Sequence, residues 1–163
     1  MKVIFLDIDG VLNDGFTILG TGKDFPTIDH LTCLKQIIDA TDAKIVLSSS
    51  WRYHKSDFND AKNALRNVGL AIMDKTKELP RGRGAEISEW LSRHPEVDNY
   101  VILDDHNDSY TNFSINQQEH LIQTEFTLGL LQEHVQQAID ILDRKELAII
   151  KPEDTLISAK KEV

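Results

Sequence analysis

The chain has 163 residues, of which 40% are hydrophobic and 28% are charged, a balance typical of one globular domain. Its formal net charge of −9 gives no overall attraction for nucleic acid or anionic membranes, although a local basic cleft is compatible with an acidic exterior. The single cysteine excludes an internal disulfide and a thiolate metal cluster, and without a signal peptide or a membrane-spanning run we expect a cytoplasmic protein.

The first elements along the chain alternate between strand and helix. Residues 3–8 form a near-continuous apolar run that predicts a strand buried on both faces. A loop-rich stretch follows, in which residues 16–19 are expected to form half of a small hairpin. Asp29 is the expected N-cap of an amphipathic helix, and residues 44–47 predict a second buried strand that ends at three serines.

The second half of the chain continues this alternation. The predicted elements are a helix from residue 56 or 57 to 68, a strand at 70–73, a helix at 83–94, a strand at 100–103, a strand at 120–124 and a helix at 130–142. The alternation predicts an α/β fold with a mostly parallel sheet and helices on both faces. We expect a single domain, residues 1–150, followed by a polar C-terminal tail, residues 151–163.

Polar residues follow the three best-defined strands. Asp7 and Asp9 follow the first strand, the serines 48–50 the second, and the acidic pair 104–105 the strand at 100–103. The carboxyl ends of parallel strands meet at one sheet edge, which is where such folds bind ligands. Carboxylates gathered there repel one another, and magnesium with oxygen ligands relieves this repulsion. Hydroxyls bind phosphate oxygens, and Arg83 at the head of a helix balances the charge of a phosphoryl group.

These residues resemble the four motifs of the haloacid dehalogenase (HAD) superfamily, in the order that the family has them. FLDIDGVL at 5–12 resembles the first, an apolar strand followed by Asp-x-Asp-Gly. IVLS at 45–48 resembles the second, Arg83 the third, and VILDD at 101–105 the fourth. The resemblance implies a Rossmann-like three-layer α/β sandwich and the activity of a magnesium-dependent phosphatase.

The resemblance also implies a role for each matched residue. Asp7 would be the nucleophile that forms an aspartyl-phosphate, and Asp9 would protonate the leaving oxygen and then activate water. Ser48 or Ser49, between which the sequence does not decide, would bind phosphoryl oxygens together with Arg83. The implied magnesium ligands are Asp7, the Asp9 backbone carbonyl, Asp104 and either Asp105 or Asp108.

Further segments are similar to the small HAD domains of Swiss Army Knife RNA repair proteins, which resemble polynucleotide 3′-phosphatases. These segments are SSWR at 49–52, the pattern R-x-x-E-I-x-x-W-L at 83–91 and TLGL at 127–130. HAD enzymes select substrates largely with cap domains, and here the two usual insertion points have room only for a flap and for about one helix and one strand. By analogy, the site is capless and open, which suits a phosphate on a nucleic-acid end.

Two residues after the second strand have alternative interpretations. Trp51 either stacks on a base of the substrate or packs against a neighbouring helix. Arg52 either contacts a substrate phosphate or pairs with a surface carboxylate.

The third motif also has competitors, since Lys75, Lys77 and Arg81 lie close to Arg83 in the sequence. We favour Arg83 because it leads directly into the amphipathic helix. The rival functions are a mononucleotide phosphatase, a non-enzymatic phospho-accepting module like a response-regulator receiver, and a catalytically idle HAD-like binding module. The Asp-x-Asp-Gly motif on the first strand and the late acidic pair favour the phosphatase, and the sequence does not name the substrate.

Overall fold

The computed structural model of the chain describes residues 1–21 and 25–144. Its strands are β1 Lys2–Leu6, β2 Lys44–Leu47, β3 Ile72–Lys75, β4 Asn99–Asp104 and β5 Leu121–Gln123. Its α-helices are α1 Gly15–Thr21, α2 Ile28–Thr41, α3 Lys55–Asn67, α4 Arg83–Ser92, α5 Ile115–Gln118 and α6 Gln132–Asp143, and a 3-10 turn spans Ser50–Arg52. The predicted C-terminal tail, 151–163, lies outside the described residues, and no helix within them is long and apolar enough to cross a membrane.

The five strands form one sheet in the order β3-β2-β1-β4-β5, and all of their pairings are parallel. Strand β1 lies at the centre, where Phe5 is in register with Val46 of β2 and Ile102 of β4. The carboxyl ends of β2, β1 and β4 therefore lie side by side. The predicted α/β class with a mostly parallel sheet is confirmed.

Helices cover both faces of this sheet, which makes three layers. On one face, α2, α3 and α6 pack their apolar side chains, among them Leu34 and Leu65, against residues of β1 such as Leu6. On the other face, α4 packs Trp90 edge-on against Phe5 with ring centroids 5.4 Å apart. Burial of every core strand on both faces explains why the strands are apolar runs without polar alternation.

Two local predictions were wrong. The expected hairpin at 16–19 lies within helix α1, because the Asp14 carboxylate accepts hydrogen bonds from the Thr17 backbone N–H at 2.7 Å and the Thr17 hydroxyl at 3.0 Å. This capping gives a backbone N–H of the first helical turn its hydrogen-bond acceptor, and it outweighs the preference of the apolar residues for a strand. Asp29 is not the N-cap of α2, since Thr27 occupies that position and Asp29 lies within the first turn.

The remaining elements were predicted with small shifts in their ends. Strand β3 begins two residues later than expected, and α4 and α6 end or begin within two residues of the predicted positions. Helix α5 was not predicted, because its four residues are too few to show helical periodicity. Its capping box, formed by Ser114 and Gln117, was the available signal.

Candidate active site

Asp7 lies immediately after the central strand β1, and its side chain is buried. Its backbone N–H donates to the Leu103 carbonyl at 3.0 Å, which extends the pairing of β1 with β4 by one residue. One carboxylate oxygen accepts from the Ile8 N–H at 2.8 Å, and the other accepts from Arg83 Nη1 at 2.5 Å. The backbone and the guanidinium together hold the orientation of this carboxylate.

Arg83, the first residue of α4, joins two strands of the sheet. Its Nη1 donates to the carboxylates of both Asp7 and Asp104. Burial lowers the pKa of Arg83, but the negative charges of the two aspartates outweigh burial and raise it above the usual value. The guanidinium is therefore a permanent positive charge at the carboxyl edge of the sheet.

The other three candidates for the third-motif cation lie elsewhere. The Lys75 ammonium lies 5.0 Å from the centre of the Phe58 ring, and Lys77 pairs with Glu89 at 3.4 Å. Arg81 lines a cavity beside the site and forms no ion pair with a described side chain. Of the four cations considered, the structure brings only Arg83 to Asp7.

Asp104 ends β4 and is completely buried. One of its oxygens accepts from the His106 N–H at 2.9 Å, and the other accepts from Arg83. Burial and the nearby charge of Asp7 raise the pKa of Asp104 to about 7, against the lowering effect of Arg83. One guanidinium therefore does not fully compensate the carboxylates collected here.

Asp105 approaches the same point from the loop after β4. Gly10 has φ +70°, and a Cβ atom at that position would lie 2.6 Å from Asp105 Oδ2. The glycine of the first motif thus gives the Asp105 carboxylate the room to reach the loop that follows β1. Asp108, the alternative considered from the sequence, instead accepts from the Tyr110 N–H at 2.8 Å and the Thr111 N–H at 3.3 Å.

The donor set at this edge fits magnesium. Ligand atoms of Asp104, Asp105 and His106 lie within 4.8 Å of one another, and the Asp7 carboxylate shares Arg83 with Asp104. Carboxylate and carbonyl oxygens are the ligands of a hard divalent cation. The raised pKa of Asp104 is the physical sign that another positive charge suits this position.

Asp9 has both carboxylate oxygens engaged by neutral donors. Trp51 Nε1 donates to Oδ2 at 3.0 Å, and Asn13 Nδ2 donates to Oδ1 at 2.8 Å. Asn13 is itself oriented because its Oδ1 accepts from the Gly10 N–H at 3.0 Å. We call Trp51 and Asn13 the Asp9 clamp.

Of the two interpretations of Trp51, packing fits the structure, because Trp51 belongs to the buried core cluster that includes Leu65 of α3. The indole is only 8% exposed, so it does not offer a stacking face to a substrate, and it does more than pack, because it orients a carboxylate of the site. Asn13 was not among the site residues predicted from the sequence. An asparagine four residues after Asp9, within a glycine-rich loop, gives no local signal that its side chain turns back.

The structure distinguishes the two serines at the end of β2. The buried Ser48 hydroxyl has no hydrogen-bond partner within the described part of the chain, whereas Ser49 Oγ accepts from the Trp51 N–H at 3.3 Å and caps the 3-10 turn. Thr76, which the sequence analysis did not consider, has a second buried hydroxyl without a described partner. Its N–H donates to the Leu47 carbonyl, so it lies beside the end of β2.

A family model for the HAD domain in Swiss Army Knife RNA repair proteins matches residues 3–135, well over half of the chain. The chain belongs to this family. The matched range contains every site residue described above. No curated protein and no solved structure matches the chain. Membership indicates a phosphatase-type function and a metal-dependent chemistry, which agrees with the acidic group formed by Asp104, Asp105 and His106.

In this HAD domain, Arg52 is buried, whereas the sequence predicted that it contacts a substrate phosphate or pairs with a surface carboxylate. Its Nη1 donates to the carbonyls of Ser48 and Ser49, and its Nη2 donates to the Tyr53 hydroxyl at 2.8 Å and to Glu86 at 2.5 Å. The 3-10 turn directs the side chain back under the end of β2, where it meets a buried carboxylate of α4. Arg52 therefore supports the wall of the site from within.

The described part of the HAD domain has no α/β cap. Between Asp9 and α2 the structure describes only α1, and between β2 and α4 it describes the 3-10 turn, α3 and β3. The carboxyl edge of the sheet is therefore not covered by a second layer of the described chain.

Proposed function

We propose that this HAD domain is a magnesium-dependent phosphomonoester hydrolase that works through an aspartyl-phosphate on Asp7. The observation that carries the proposal is the arrangement at the sheet edge, where Arg83 joins the Asp7 and Asp104 carboxylates. A phosphoryl transfer site needs a nucleophile, fixed positive charge and oxygen ligands for a cation at one point. These three requirements correspond to Asp7 directly after β1, Arg83 of α4 and Asp104 of β4.

In the first step, a carboxylate oxygen of Asp7 forms a bond to phosphorus while the bond from phosphorus to the ester oxygen breaks. The departing alkoxide takes a proton from Asp9. In the second step, Asp9 takes a proton from water, and the water oxygen forms a bond to phosphorus while the bond from phosphorus to the Asp7 oxygen breaks. Inorganic phosphate leaves, and both carboxyl groups return to their starting states.

Two residues are placed to hold the phosphoryl oxygens. Arg83 contributes a guanidinium that already contacts the nucleophile, and Ser48 contributes a buried hydroxyl without a described partner. We assign the second-motif role to Ser48, because Ser49 is engaged in capping a turn. Magnesium would be held by Asp7, the Asp9 carbonyl, Asp104 and Asp105, and when bound it supplies positive charge opposite the phosphoryl oxygens.

We further propose that the phosphate belongs to a nucleic-acid end. The family takes its description from RNA repair proteins, and the site lacks a described cap that would limit substrates to small metabolites. A mononucleotide would present the same phosphomonoester to Asp7. The two substrate classes are therefore separated by comparing rates of phosphate release from mononucleotides and from oligonucleotides.

The test measures phosphate release by the purified chain from an aryl phosphate, mononucleotides and oligonucleotides phosphorylated at either end. Wild type, Asp7→Asn and the control Asp39→Asn, which alters an exposed aspartate paired with Lys35, are compared with and without magnesium. We expect magnesium-dependent release that Asp7→Asn abolishes and Asp39→Asn retains. Borohydride reduction during turnover should convert residue 7 to homoserine, which mass spectrometry detects. Release that is independent of magnesium, or that survives Asp7→Asn, would overturn the proposal.

A further inference from the structure

A cavity of about 410 Å³ opens beside the proposed phosphate site, and Arg83 belongs to both. Its wall comes from three segments: the turn after β2, the chain that enters α4 and the loop after β4. The aromatic and cationic residues of the wall are Arg52, Tyr53, Arg81, Arg83 and Tyr110. Small-molecule sites have volumes of roughly 300–1,000 Å³. This cavity lies near the lower end of that range, a size that suits one nucleoside.

Two tyrosines expose aromatic surface in this wall. Tyr53 is 42% exposed and Tyr110 is 62% exposed, both high values for an aromatic side chain. Tyr53 is fixed from inside, because the guanidinium carbon of Arg52 lies 4.4 Å from its ring centre and Arg52 also donates to its hydroxyl. An aromatic ring that is exposed and held in place is a platform on which a base of any type stacks.

Tyr110 is held by its backbone. Its N–H donates to Asp108 Oδ1 at 2.8 Å, and its carbonyl lies against Gly82, where a Cβ atom would come within 2.4 Å. Gly82 has φ +85°, so this position both requires and has a glycine. This close approach packs the loop after β4 against the chain that enters α4. Two of the three wall segments are therefore held against each other.

Arg81 is the uncommitted cation of the cavity. It is exposed, and it forms no hydrogen bond or ion pair through its side chain with a described residue. The two acidic residues in the wall differ, because Glu86 is neutralised by Arg52 while Glu78 is exposed. Only Gly82 lies between Arg81 and Arg83, so the Cα atoms of the two arginines are at most about 7 Å apart. This reach is close to the spacing of successive phosphates along a nucleic-acid strand.

We propose that this cavity binds the terminal nucleoside of a single-stranded polynucleotide end, stacked on Tyr53 and Tyr110, while Arg81 binds the next phosphodiester. The terminal phosphomonoester then lies at Asp7. The inference rests on the proposed function and deepens it, because it makes a dinucleotide the smallest substrate that uses all of the contacts. Aromatic platforms beside a cation favour this occupant over a phosphopeptide, which has no base to stack.

The test uses ratios of kcat/KM, which cancel any loss of folded enzyme. Two ratios are measured for each variant. The mononucleotide ratio divides kcat/KM for a nucleoside monophosphate by kcat/KM for p-nitrophenyl phosphate. The trinucleotide ratio does the same for a trinucleotide phosphorylated at the end that reacts faster. We expect Tyr110→Ala to lower both ratios about tenfold, because both substrates lose base stacking. We expect Arg81→Gln to lower only the trinucleotide ratio, about five- to tenfold, with a smaller effect at high salt.

Lys77→Gln is the matched control. Lys77 lies in the same segment before α4 as Arg81, but it pairs with Glu89 and does not line the cavity. The variant should leave both ratios unchanged. Unchanged ratios in Tyr110→Ala and Arg81→Gln, or a phosphopeptide that is hydrolysed faster than the trinucleotide, would overturn the inference while leaving the phosphatase proposal intact.

If wild type hydrolyses no aryl phosphate, the proposed function fails separately, and binding still tests the cavity. Fluorescence anisotropy of a labelled, end-phosphorylated trinucleotide would be measured on Asp7→Asn alone and combined with Arg81→Gln. Weaker binding in the double variant supports the cavity, and equal binding overturns it.

Discussion

Replacing Trp51 with Phe should weaken the Asp9 clamp and slow the reaction only for substrates that need a proton. The change removes the indole N–H that donates to Asp9 Oδ2 at 3.0 Å and leaves the Asn13 donor in place. A hydrogen bond to a charged group is worth about 1.5–3 kcal/mol. We take the lower end of this range, because the Asp9 carboxylate is partly exposed to water. A change of about 1.4 kcal/mol in the activation free energy corresponds to a tenfold change in rate.

The assay compares kcat/KM for an alkyl phosphate with kcat/KM for p-nitrophenyl phosphate. In the proposed mechanism, this parameter reports phosphoryl transfer to Asp7, in which Asp9 acts as the acid, and not the later hydrolysis of the intermediate. An alkoxide requires protonation, whereas p-nitrophenolate leaves as a stable anion. The alkyl value should therefore fall about tenfold more than the aryl value in Trp51→Phe.

Trp90→Phe is the matched control for this prediction. Trp90 is also a buried tryptophan, and its Nε1 donates to the Asp74 carboxylate at 2.7 Å, on the face covered by α4. This variant loses the same type of bond without touching Asp9, so its alkyl-to-aryl ratio should equal that of wild type. An equal fall for both substrates in Trp51→Phe, or a similar change of ratio in Trp90→Phe, would refute the reasoning.

Three further predictions concern stability and are checked by urea unfolding. Burial raises the pKa of Asp14, but its hydrogen bonds lower it overall. Asp14→Asn should therefore cost about 1–2 kcal/mol at pH 7, and the loss should shrink as the pH falls below 3.8, because the folded carboxylate keeps its charge to a lower pH than the unfolded one. Glu86→Gln should cost about 3 kcal/mol by leaving its buried arginine partner uncompensated, while Glu89→Gln on the exposed side of the same helix should change little. Gly82→Ala should destabilise by at least about 1 kcal/mol more than Gly69→Ala, because both glycines have positive φ but only at Gly82 does a Cβ meet a carbonyl. Equal losses in either matched pair, or a pH-independent loss in Asp14→Asn, would contradict these explanations.

Where a prediction from the sequence was wrong, the missing information was the direction of a side chain. The hairpin at 16–19 was predicted from residues that favour strands. The helix found there depends on the Asp14 carboxylate, which accepts hydrogen bonds from Thr17. Arg52 was expected at the surface or on substrate, but its guanidinium lies under the end of β2 with Glu86. A local pattern reports which residues are apolar and how they repeat, and it does not report where a long polar side chain finds its partner.

By itself, the sequence determined the α/β class, the order of the strands along the chain and the polar residues that follow them. These features are encoded locally, because buried strands must be apolar and strand ends in a parallel sheet must meet at one edge. Tertiary structure alone decided that Arg83 joins Asp7 to Asp104, that the Ser48 hydroxyl, unlike that of Ser49, has no hydrogen-bond partner among the described residues, and that Trp51 orients Asp9. These contacts join residues up to 76 positions apart, and only the packing of α4 and the 3-10 turn against the sheet brings them within hydrogen-bond distance.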